Sequence, residues 1–77
     1  MPLVVREGKY RVVVHTRMEH PPPHVHVYWE DSFVRVGLLT LTFMDPAPRR
    51  RRREILELLR AHQLKAIEIW EQCNEQK

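Results

Sequence analysis

Apolar and polar positions alternate through the first half of the chain and recur at three-four spacing in the second. The alternating stretches are short. "LVVRE", Leu3 to Glu7, predicts a first strand, and Gly8 with Lys9 predicts the turn that follows. "YRVVVH", Tyr10 to His15, is β-branched and alternating and predicts a second strand. "TRMEHPPP" is unsuited to regular structure, because prolines fix φ, remove amide donors and restrict the residue before them. A third strand is predicted from His24 to Glu30, after which "EDS" turns the chain into a fourth that begins at Phe33. There the parity slips. Val34, Val36 and Leu38 share one face, while Leu39, Leu41 and Phe43 share the other. Strict alternation would leave one set in water, so a bulge at Gly37–Leu38 or a break into two short strands is expected.

"DPAP" then ends the sheet. From about Arg49 to Gln76, Ile55, Leu58, Leu59, His62, Ala66, Ile69, Trp70 and Cys73 fall along one helical face. Leu56 and Ile67 widen this stripe, and Leu64 lies nearly opposite it. Such a helix is roughly 40 Å long, against about 23 Å for a seven-residue strand. It therefore outruns the sheet. The predicted fold class is α+β: an antiparallel meander of about four strands with one long C-terminal helix packed on one face. A chain of 77 residues has room for one domain and one modest core. Residues 1–77 are read as a single domain, with strands within 3–43, a linker at 44–48 and the helix at about 49–76.

Alternation also assigns faces. Val25, Val27 and Trp29 should face the helix, with Tyr10, Val12 and Val14 beside them. The opposite, open face should then carry Arg11, His15, His24, His26, Tyr28, Glu30 and Arg35. Composition narrows the setting. An apolar fraction of 43% argues against disorder, and a net charge of +3 permits contact with RNA, DNA or an acidic protein without requiring it. Cys73 is the only cysteine, which excludes an internal disulfide and fits a reducing compartment. No apolar run is long enough for a secretion signal or a membrane span, so a cytoplasmic location with no membrane partner is expected.

"REGKYRVVVHTRMEHPPPHVHVYW", followed by "RREILELLRAHQLKAIEIWEQ", resembles the small bacterial domain-of-unknown-function family 4160. The resemblance covers nearly the whole chain, and Pro22 to His26 is its most specific part. Between Phe33 and Pro48 the chain departs from the more polar approach to the helix usual in that family, so nothing carries over to the linker or the arginine run. The resemblance implies no established activity. It does imply a partner, because the family's genes often lie beside another small gene, in pairs that look like toxin–antitoxin modules.

Four groups of residues suggest chemistry. His24 and His26, two apart on a strand, suit a divalent metal, with Glu30, His15 or His20 as a third ligand. A histidine pair at this spacing is a weak motif, and solvated or structural histidines are the stronger reading; no other cofactor is expected. As an enzyme, the same face would be a metal-independent ribonuclease. His24, His26, Tyr28 and Glu30 would then serve as acid and base, with Arg11 and Arg35 on the phosphate. Arg49, Arg50, Arg51, Arg52 and Arg53 place five cations at a helix start, where the macrodipole favours anions, and RNA would relieve them. The bland alternative is a solvated helix start in which Arg50 with Glu54 and Arg53 with Glu57 partly neutralise each other. Leu56, Leu64, Ile67 and Trp70 suggest a partner surface, either for a homodimer or for an adjacent-gene protein. His62 reads as a core or interface histidine. The leading expectation is a non-catalytic protein-binding component of a toxin–antitoxin-like pair; the alternative is a small ribonuclease or RNA-binding protein that uses the outward His/Arg face.

Overall fold

A computed structural model describes residues 2–15 and 22–74. The strands β1 (Leu3–Glu7), β2 (Tyr10–Val13), β3 (His24–Trp29) and β4 (Ser32–Gly37) form one antiparallel sheet in the order β1-β2-β3-β4, and α1 (Arg49–Asn74) covers one face. This is the α+β meander with a long C-terminal helix that the periodicities predict. At 1.5 Å per residue, 26 helical residues extend about 39 Å, which matches the molecule's longest dimension of 39 Å. The six-residue strands span only about 20 Å, so the helix does outrun the sheet.

The inner face is made of small branched side chains. Val12, Val25, Val27, Val34 and Val36 are buried beneath Ile55, Leu58, Leu59, Ala66 and Trp70 of α1. Each such side chain withdrawn from water contributes roughly 1.5–3 kcal/mol. Tyr10 and Trp29 meet edge to face, with ring centroids 6.0 Å apart. The helix bends at His62, which departs from helical geometry (φ −125°, ψ 17°). Beside the bend, the Gln63 amide donates to the Leu38 carbonyl at 2.6 Å and ties the turn after β4 to the middle of α1.

A break resolves the parity slip. Val34, Val36 and Leu38 are all buried, whereas Leu39 is exposed. β4 ends at Gly37, the chain turns through residues 38–40, and Leu41 adopts φ 53°. The returning segment lies along the free edge of β4. The Gly37 amide donates to the Thr42 carbonyl at 2.8 Å, the Met44 amide to the Arg35 carbonyl at 2.9 Å, and Phe43 bridges to Val36.

Glu30 departs from its expected place on the third strand. Trp29 pairs with Ser32, which leaves Glu30 and Asp31 as a two-residue turn, with Glu30 at φ 49°. A tight hairpin needs a left-handed residue here, and a glutamate at that φ is strained. Glu30→Gly should therefore raise stability by up to about 1 kcal/mol, even though glycine costs entropy elsewhere. Urea unfolding of the two proteins checks this; an unchanged or lower midpoint counts against strain at the turn.

Candidate functional site

The outer face of the sheet is organised as two rows that cross the strands. Leu3, Val13, His26 and Arg35 are successive cross-strand partners in one, and Arg6, Arg11, Tyr28 and Phe33 in the other. The expected outward residues other than Glu30 thus share a face, but its histidines are not open. His24 is 6% exposed and His26 is 7%. The His15 ring stacks on that of His26 at 3.6 Å and 9°. The His24 ring lies 5.5 Å from His26 and 5.0 Å from Trp70. The apolar stripe of α1 therefore reaches the start of β3 through Trp70, which lies against His24.

Hydrogen bonds fix the row further. His24 Nδ1 lies 2.9 Å from the Pro22 carbonyl, to which it donates. His15 Nε2 lies 3.2 Å from the Tyr28 hydroxyl. A metal binds imidazole in the ring plane, and two parallel rings 3.6 Å apart cannot both point at one ion in that way. Among the described residues, no group of three His, Cys, Asp or Glu converges on a metal position. His20, one candidate third ligand, lies outside the described residues.

Two arginines of the face, Arg35 and Arg11, are also engaged. Asp45 accepts from the Arg35 backbone amide at 2.9 Å, from Nε at 3.0 Å and from Nη2 at 2.9 Å. Its carboxyl is held down at about 2, chiefly by the Arg35 side-chain hydrogen bonds, with partial burial opposing. The Arg11 guanidinium sits 5.2 Å over the Tyr28 ring, a cation–π arrangement. Asp45 escapes a reading of the sequence because nothing in "DPAP" marks a residue that returns to β4; the signal lies in the hairpin, not in the motif.

The arginine run divides. Arg51 Nη1 donates to the Tyr10 hydroxyl at 3.3 Å and lies 3.6 Å from Glu54, and the Tyr10 hydroxyl donates to the same carboxylate. Burial first, then the Glu54 contact, raises the Tyr10 phenol above its usual range. This cluster pins the start of α1 to β2. Arg49, Arg50, Arg52 and Arg53 are exposed.

On the far part of α1, Leu64 is 78% exposed, while Leu56 and Ile67 are half-buried and Ile67 packs against the core. Trp70 is itself a core residue at 7% exposure, so its surface is already committed within the chain. Three hollows bordered by described residues lie around Lys9. One of 390 Å³ runs between the β1–β2 turn and α1, past Glu54 and Glu57. Another of 220 Å³ is bordered by Arg6, Gly8, Lys9, Tyr10 and Arg11. Arg6, Lys9 and Phe33 were not singled out from the sequence, although Phe33 shares its parity with Arg35 and Arg6 its face with Arg11.

No curated protein matches the chain, and no solved structure does. A family model described as a domain of unknown function, DUF4160, matches residues 10–71, from the start of β2 into the last turn of α1, and the chain belongs to that family.

Proposed function

We propose that this chain is a non-catalytic, protein-binding component of a toxin–antitoxin-like pair, and that it engages an adjacent-gene protein through the flank of α1 around Leu64. The observation that carries this reading is Leu64 itself, 78% exposed on a helix whose other large apolar residues are buried or half-buried. Leu56 and Ile67 supply apolar surface on the same helix, and Leu39, 62% exposed, lies in the turn that Gln63 ties to it. Covering a leucine of this kind contributes on the order of 1.5–3 kcal/mol to an interface. The ribonuclease alternative takes second place. Its histidines are nearly buried, and Arg35 is held by Asp45 rather than offered to a phosphate.

Co-expression of the tagged chain with each neighbouring open reading frame tests the proposal. One neighbour should co-purify in stoichiometric amount, and Leu64→Glu should weaken the complex about tenfold, since 1.4 kcal/mol is one decade in affinity. No complex with either neighbour would sink the reading. A wild-type homodimer that Leu64→Glu dissolves would assign the surface to a second copy instead.

A further inference from the structure

We infer that the Arg6–Arg11–Tyr28–Phe33 row, with the basic hollow at its β1–β2 end, is a binding site for single-stranded RNA. This lies on the sheet face opposite α1 and is independent of the partner reading.

Each strand contributes one residue to the row, through the pairs Arg6–Arg11, Arg11–Tyr28 and Tyr28–Phe33. The side chains from β2 to β4 follow one another, a cation over a ring and that ring stacked on the next. The Arg11 guanidinium lies 5.2 Å over Tyr28, and the Tyr28 ring lies 5.5 Å from Phe33 at 28°. His26 supports the stack from the neighbouring row, at 5.9 Å and 26° from Phe33. Phe33 ends it and remains 52% exposed. One exposed phenylalanine is unremarkable by itself. Here, however, it is the open end of an ordered stack, with a flat π surface for another ring.

The other end of the row is basic. The 220 Å³ hollow there is bordered by Arg6, Lys9 and Arg11, and no carboxylate lines it. Gly8, at φ 58°, makes the turn that brings the three cations together. Among the described residues, none of the three forms an ion pair. A smaller hollow of 80 Å³, bordered by Lys9, Arg11 and Tyr28 together with Trp29 and Glu30, continues from it to the stack. Lys9 also feels the Glu54 carboxylate across the neighbouring hollow, but Arg6 and Arg11 beside it repel each other, and a phosphate would relieve that.

The hollow lies between β1 and β2, so two to three inter-strand steps of about 4.8 Å, roughly 10–14 Å, separate anion site and π surface. A mononucleotide does not reach from one to the other, whereas a strand does. A duplex keeps its bases stacked inside and offers no free face to Phe33, and an acidic peptide supplies charge without a π surface. An unpaired strand supplies both, and sequence-tolerant stacking beside backbone cations is how sheet faces hold single-stranded RNA.

Fluorescence anisotropy with a labelled oligouridine, measured between about 50 mM and about 200 mM salt, tests the site. Three phosphate contacts predict a log–log salt slope of about −2. Arg6→Glu with Arg11→Glu should weaken binding at least tenfold and flatten that slope. Phe33→Ala should weaken binding about fivefold or more at an unchanged slope, and Phe33→Tyr should restore it. Arg49→Glu with Arg52→Glu, in the arginine run, should leave affinity within about twofold, since no contact is lost. Melting curves for each variant establish that the fold is retained. The inference is overturned by no binding at low salt, by equal affinity for duplex RNA, by tighter binding of oligodeoxythymidine, by a Phe33→Ala protein that binds like wild type, or by an equal loss from the arginine-run variant.

Discussion

Trp70→Ala should cost about 3–5 kcal/mol, a large share of what a chain of this size has to lose. At roughly 0.05–0.15 kcal/mol per residue, 77 residues hold about 4–12 kcal/mol in total. Trp70 is buried, it lies beyond the bend at His62, and its ring is 5.0 Å from that of His24. Truncation opens a cavity under the last turns of α1 and uncovers His24 as well. Urea unfolding followed by circular dichroism measures the loss. Trp70→Phe, which keeps an aromatic ring in place, should recover a large part of it. His24 ring-proton shifts supply a second readout: the indole ring current displaces them in the wild type, and they should move toward unstructured values in Trp70→Leu. A loss below 1 kcal/mol, or unmoved His24 resonances, would show that Trp70 does not hold the histidine row in place.

Asp45→Ala should cost about 2 kcal/mol, allowing for side chains 27% (Asp45) and 42% (Arg35) exposed. Three hydrogen bonds disappear together, one of them to the Arg35 backbone amide on the edge of β4. The pH dependence follows from the sign of the shift. The folded carboxyl titrates at about 2, below the usual 3.8, so the unfolded chain takes up the proton first as acid is added. The Asp45 contribution is complete above about pH 4 and is lost as the pH falls through about 2. Asp45→Asn should flatten the stability curve across that window and leave its neutral-pH shape alone. An acid limb as steep in Asp45→Asn as in wild type would assign the acid sensitivity to other carboxylates.

The elements were legible because each follows one period. "HVHVYW" alternates and is β3; the stripe from Ile55 to Trp70 repeats at three-four spacing and is the packed face of α1. Parity also read the inner face correctly, from Tyr10 to Val36. It misjudged the outer one. Alternation says which side of the sheet His24 and His26 take, but not what arrives against them: His15 stacks on His26, and Trp70, more than forty positions along the chain, lies against His24. Asp45 was hidden for the same reason: its partner is ten residues back and meets it only because the chain reverses after Gly37. Glu30 was misplaced by one residue of strand length, since a two-residue turn of Glu and Asp carries none of the glycine or asparagine that usually marks one. Arg6, Lys9 and Arg11 are scattered singly in sequence, and the β1–β2 turn brings them to one hollow.

The strap that runs from Thr42 to Asp45 also decides how this sheet meets other sheets. It occupies the amide and the carbonyl of Arg35 and the amide of Gly37 on the outer side of β4, so the stretch from Arg35 to Gly37 offers no template to an incoming strand. β1 is the remaining edge, irregular between Leu3 and Val5 and charged at Arg6 and Glu7. A fibril needs two sticky sides on every unit, one to join and one to pass the pattern on. With one side sealed, edge-to-edge growth stops at a pair: two copies placing their β1 strands against each other would build one eight-stranded sheet, sealed at both ends.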